Sequence, residues 1–131
     1  MIQASRHMRI FVAREPIDAR KGIDGTAGVC RKLLEQNPYS GAMFVFINRR
    51  CTRIRIYLFD GQAEWLCDKR FCKGRHRHWP RTPESLMSLT PEELLVLIGG
   101  GDPGVVSRIA DWKRIESCLL YTSDAADDRM R

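Results

Sequence analysis

The apolar residues alternate most regularly in residues 43–71, MFVFINRRCTRIRIYLFDGQAEWLCDKRF. Ile54, Ile56 and Leu58 fall on one side of an extended strand, with Arg53, Arg55 and Tyr57 on the other. That period of two marks a strand with one face buried. Asp60-Gly61 is a dipeptide favoured at the centre of a two-residue type I′ turn, where both positions need a positive φ. Pairing across that turn sets Phe59 against Gln62. It predicts an apolar side on which Leu58 faces Ala63, Ile56 faces Trp65 and Ile54 faces Cys67, with Trp65 in the core. The reverse side would set Arg53 against Asp68, Arg55 against Leu66 and Tyr57 against Glu64.

The remaining pattern supplies flanking elements. Residues 9–14, RIFVAR, form a short β-prone run that Pro16 closes, which reads as an edge strand. Ile23, Ala27, Cys30 and Leu34 recur at helical spacing and predict one long helix over residues 20–37, capped by Asp18 or Asp24 and ended near Pro38. Strands are expected near 43–48, 53–59 and 62–71, connected as a meander. In SLTPEEL, Ser88 or Thr90 can cap a short second helix with Pro91 in its first turn and Glu92 and Glu93 favoured there by the helix dipole. The fold expected is α+β: a twisted antiparallel β-meander with the long helix packed on its apolar face and a short C-terminal helix at one end.

Composition narrows the function. Within 131 residues, 22 Lys and Arg exceed 16 Asp and Glu, a net charge of +6 that favours polyanionic partners. Residues 49–81 concentrate it, with ten Lys or Arg against three acids, and Tyr57, Phe59, Trp65 and Trp79 lie among the cations. Cations can neutralise phosphates while rings stack on bases, which is what a nucleic-acid surface needs. The competing reading is a core Trp65 and arginines that solvate an outer face. No apolar run nears the roughly 20 residues of a membrane span, and the first residues, MIQASRHMRIFVAREP, carry no sustained apolar leader. Five cysteines without framework spacing suit a reducing cytoplasm. Cys67, Cys72, His76 and His78 are residue types that suit zinc, but their spacing is poor and His76 and His78 read better as members of the basic surface. No cofactor is expected.

Several segments together carry a family resemblance: DARKGIDG (18–25), NPYSG (37–41), FVFINRR (44–50), FDG (59–61), KRF with KGR (69–75), WP (79–80) and SLTPEEL (88–94). In this order and spacing the chain resembles TnpB, the small accessory protein of insertion sequences of the IS-sixty-six type, distinct from the RNA-guided nuclease of the same name. It departs from that pattern at Thr26, where the family usually has Leu, at Ala63, where it has Gly, and at Asp68, where it has an aromatic. The resemblance implies an accessory, non-enzymatic role in DNA transposition beside a separate transposase, with Arg20, Lys21, Arg49, Arg50, Asp60, Lys69, Arg70, Arg75 and Trp79 at matching positions and no catalytic residue among them. With Arg53, Arg55 and Arg77 added from the charge pattern and Asp60 assigned to the turn, these form the candidate nucleic-acid-binding set. The partners implied are insertion-sequence DNA and the transposase, and the alternative roles are an adaptor that binds only the transposase or, further off, a metal-dependent nuclease. Domain boundaries are expected at 8–101 for the accessory domain and 102–117 for an extension. Residues 118–131, beginning CLLYTSDAADD, look like a translated sequencing adapter.

Overall fold

The computed structural model describes residues 8–106, so the tail at 118–131 lies outside the described residues. The elements are β1 (Ile10–Ala13), α1 (Ile23–Lys32), β2 (Met43–Ile47), β3 (Arg53–Phe59), β4 (Glu64–Arg70), β5 (Leu86–Leu89) and α2 (Pro91–Ile98). They build one five-stranded mixed sheet in the order β4-β3-β2-β1-β5. β1 runs parallel to β2 through α1, with Ile10 opposite Met43, and antiparallel to β5, with Ile10 opposite Leu89. β2, β3 and β4 form the expected meander. β1 is therefore interior to the sheet and not its edge. The reason is β5, a four-residue strand too short to show a period in the sequence.

Both faces of this sheet are covered, and that governs the core. β2 is buried at every position, as the continuous apolar run MFVFI requires when no face meets water. Met43 and Val45 join Ile10, Val12, Ile54, Leu58, Leu94 and Leu97 in a cluster under α2. Phe44 and Phe46 join Tyr57, Ala27, Cys30 and Leu34 in a second cluster under α1. The first helix thus packs on the Arg55 and Tyr57 side of β3, and the side expected to receive it is taken by α2. Burial pushes the Tyr57 hydroxyl well above its usual pKa and the Cys30 thiol up to about 12, so Cys30 is an inert packing residue.

The helices are short for identifiable reasons. Asp18 accepts from the Arg20 amide and guanidinium and does not cap α1, whose N-cap is Gly22 without a side-chain bond. Glu35 enters the left-handed region at φ 53, and Gln36 N–H reaches back to Cys30 O at 2.9 Å, so the helix closes before Pro38 can act. α2 begins as its sequence predicts: Thr90 accepts from Glu93 N–H, Glu93 accepts from Thr90 N–H, and Pro91 sits in the first turn.

The β3–β4 register differs by two residues from the turn-based expectation. Phe59 pairs with Glu64, Leu58 with Trp65, Ile56 with Cys67, Arg55 with Asp68, Ile54 with Lys69 and Arg53 with Arg70. Asp60 stays outside the turn's centre because its carboxylate accepts from both Gln62 N–H and Ala63 N–H, and Gly61 alone takes a positive φ of 94. A shift of two leaves every side chain on its predicted face but changes its partner. Trp65 lies at the turn end of the ribbon, 44% exposed, with its indole N–H on Asp60 at 2.7 Å.

Two leucines of α2 test which face of that helix carries the core. Leu97 is fully buried and Leu95 is 72% exposed. Leu97→Ala should cost about 2–5 kcal/mol in urea denaturation, and Leu95→Ala less than about 0.5 kcal/mol. Equal losses would place α2 wrongly.

Candidate nucleic-acid interface

The loops that leave β1 and β2 emerge side by side, because the two strands are parallel. Ile17 bridges to Asn48, and Ile17 N–H donates to Ile47 O at 2.8 Å. Between these loops and the ends of β3 and β4 lies a cleft of about 930 Å³, lined by residues 16–20, Asn48, Arg49, Arg50, Thr52, Arg53, Arg70, Phe71 and Cys72. Arg20, Arg49, Arg50, Arg53 and Arg70 thereby meet from three separate segments of sequence. The one acid in the lining is Asp18, which holds Arg20 in a two-pronged pair at 3.1 and 3.0 Å. Hydrogen bonds from Arg20 keep the Asp18 carboxyl ionised down to about pH 2. Among the described residues, Arg49, Arg50 and Arg70 have no side-chain partner.

The Arg49-Arg50 turn is held rigidly. Asn48 Oδ1 accepts from Thr52 N–H at 2.8 Å and Arg53 N–H at 3.0 Å, while Asn48 Nδ2 donates to Thr52 Oγ1. From the other side, Phe71 N–H donates to Thr52 O and His76 N–H to Cys51 O, which clamps the loop after β4 onto the turn. Asn48 and Thr52 belong to the site as positioning residues that the charge pattern could not reveal, although Asn opening a turn is a recognisable signal.

Arg55 stands beneath the cleft and not in it. It is 3% exposed. Its Nε and one terminal nitrogen grip Asp68 at 2.8 and 2.9 Å, and its remaining donors reach Ala19 O, Lys21 O and Thr26 Oγ1. All five guanidinium N–H groups are engaged, so it offers nothing to a ligand. The sequence placed Arg55 on an outer face; α1 covers that face and turns Arg55 into the support of the loop that carries Arg20 and Lys21. Asp68 also approaches Arg53, at 3.8 Å.

The other candidates disperse. Lys21 is exposed beside Arg20. Lys69 lies on the opposite sheet face, where it donates to Ile98 O at 2.8 Å and covers the Phe71 ring. Arg75 and Arg77 are exposed on either side of His76, next to the turn but outside the cleft lining. Trp79 is half-buried against the α2 cluster, with its indole N–H on Ala13 O at 2.9 Å. His76, expected at the surface, is 4% exposed between Phe71 and Trp79. Its Nε2–H donates to Leu97 O at 2.8 Å and its Nδ1 accepts from His78 N–H at 3.1 Å, which fixes the neutral ring. Both ring nitrogens are therefore committed to the fold and not to a metal.

These features define a class: a small α+β protein whose mixed sheet presents an arginine-lined cleft at the carboxyl ends of its parallel strand pair. The chain belongs to the family described as IS66 Orf2 like protein, which it matches over residues 8–108. It is similar to two Sinorhizobium fredii proteins named as uncharacterized: y4jC, 33% identical over 116 residues (88% of this chain and 91% of that protein), and y4hO, 29% identical over 102 residues (78% and 88%). No solved structure matches it. Membership assigns the chain to the accessory proteins of IS66-type transposition, which are not a known enzyme class. Among the described residues, no helix is long and apolar enough to cross a membrane.

Cys51 sits in the turn at φ 60, a left-handed conformation that glycine adopts without strain. Cys51→Gly should stabilise the domain by about 1 kcal/mol in chemical denaturation. No gain would mean that the turn is not strained there.

His76 makes stability depend on pH. Burial, with lesser contributions from His78 and Lys69, lowers its pKa below the usual 6.5, against an opposing effect of the Leu97 bond. The folded state therefore refuses a proton that the unfolded chain accepts. The stabilisation is full above the unfolded value near 6.5 and is lost as pH falls through the folded value. Denaturation midpoints should drop between about pH 7 and pH 5, and drop less in His76→Gln. An equal drop in both proteins would assign the effect to other groups.

Proposed function

We propose that this accessory protein contacts DNA directly, through the cleft that gathers Arg20, Arg49, Arg50, Arg53 and Arg70. The observation that carries the reading is convergence: segments remote in sequence bring five guanidinium groups to one concavity, where Asp18 is the only acid among the described residues. Asp18 pairs with Arg20 and Asp68 approaches Arg53, but Arg49, Arg50 and Arg70 have no acid partner among the described residues. Like charges repel, so that surplus fits a polyanion that supplies the countercharge. Guanidinium forks also suit phosphate oxygens better than lysine ammonium groups do.

A non-enzymatic role fits the way the nearby carboxylates are engaged. Asp18 holds Arg20, Asp60 closes the turn and receives Trp65, Glu64 accepts from Tyr57 at 2.6 Å, and Asp68 holds Arg55. Each of the four thus has a structural partner that accounts for its place in the basic region.

A salt titration of duplex binding tests the proposal. Each phosphate neutralised contributes about 0.9 to the slope of log affinity against log salt, so the double variant Arg49→Ala, Arg50→Ala should flatten the slope by about two units. Its unfolding midpoint should stay close to wild type, since exposed turn charges contribute little to stability. Wild-type slope and affinity in the variant would remove this pair from the surface. If the wild-type chain binds no duplex at low salt yet co-purifies with the transposase, the protein is an adaptor.

A further inference from the structure

The aromatic residues that the sequence interleaves with the cations are not in the cleft. Tyr57 is fully buried, and Trp79 has its ring packed and its N–H engaged. Phe59 packs edge-on against Tyr39 at 5.3 Å, and Trp65 bonds Asp60. These last two lie at the turn end of the β3–β4 ribbon, whereas Arg53 and Arg70 lie at its other end. At about 3.3 Å per residue, a seven-residue strand separates the two ends by roughly 20 Å. The cleft retains Phe71, whose half-buried ring packs into the α2 cluster beneath Lys69 and edge-on to His76.

We infer that the cleft takes the phosphodiester backbone of double-stranded DNA, without base stacking and without reading sequence; this rests on the DNA-contact reading above. Proteins that hold single strands combine a basic groove with exposed rings on which successive bases stack. Here the basic groove is present, and among the described residues no exposed row of rings lines it. A single strand bound by phosphate contacts alone would lose its conformational freedom with no stacking to offset the loss. A duplex brings its phosphates already spaced, at high charge density, and shields its bases from a cleft whose one ring among the described residues, Phe71, is packed into the α2 cluster. Arg20, Arg49, Arg50, Arg53 and Arg70 carry donors suited to phosphate oxygens, and backbone contacts of this kind position a protein without specifying sequence.

Fluorescence anisotropy on the full chain separates the possibilities, with two 20-base-pair duplexes of unrelated sequence and a 20-nucleotide oligo-dT strand as probes. The two duplexes should bind within about twofold of each other and at least about tenfold more tightly than the single strand at equal salt. The slope against log salt should approach about −4.5, from five guanidinium groups at about 0.9 each. Phe71→Leu, with its fold checked by circular dichroism, should keep duplex affinity within about twofold. Arg49→Ala, Arg50→Ala should lose affinity for both duplexes alike. Oligo-dT binding as tight as duplex, or a tenfold loss in folded Phe71→Leu, would overturn the backbone-only inference while leaving direct DNA contact in place. A tenfold preference for one duplex would overturn its sequence blindness. Failure to bind any of the three probes at low salt would remove the DNA-contact reading, and this inference with it.

Discussion

Arg55 is the buried charge on which the rest of the architecture leans. A guanidinium taken out of water is strongly destabilising unless every donor finds an acceptor, and here Asp68, two backbone carbonyls and the Thr26 hydroxyl supply all of them. Its partners come from β4, from the loop before α1 and from α1 itself, so one side chain ties a strand, a loop and a helix to the centre of β3. Thr26 and Asp68, far apart in sequence, meet on the same guanidinium.

That arrangement also explains what the sequence could and could not reveal. Alternation along Ile54, Ile56 and Leu58 identified β3 and its two faces, and the capping signals at Thr90 and Pro91 placed α2. Alternation says which residues share a face, however, and not whether the more polar face meets water. Arg55 and Tyr57 look like an outer surface until α1 is laid over them. The β3–β4 partners were misread by two residues because Asp60 can serve either inside a turn or as the acceptor that precedes it, and local sequence does not choose between them. β5 is a strand because β1 offers it an edge, a condition set far away in the chain.

The cleft was legible in part for the same reason. Charge pattern and resemblance together marked Arg20, Arg49, Arg50, Arg53 and Arg70, and the parallel β1–β2 pair brings them to one place. Lys69, Arg75, Arg77 and Trp79 had equal standing in the sequence, yet strand alternation turns Lys69 toward α2, and the loop after β4 sets Trp79 against the α2 cluster and leaves Arg75 and Arg77 outside the cleft lining. What sorts them is the clamp of Phe71 and His76 on the carbonyls of Thr52 and Cys51, an interaction between backbone groups that no side-chain pattern encodes.

The position of β1 has a consequence for the chain as it is synthesised. β1 leaves the ribosome first among the strands, pairs with β2 some thirty residues later in register (Ile10 with Met43), and receives its second neighbour when Leu89 has been made. Until then Ile10 and Val12 lack the cover of α2, and the edge of β1 has open amides and carbonyls that another chain could pair with. A nascent chain stalled, or a message truncated, between β4 and β5 would thus yield a product with most of its strands and an unprotected sheet edge, prone to associate with copies of itself.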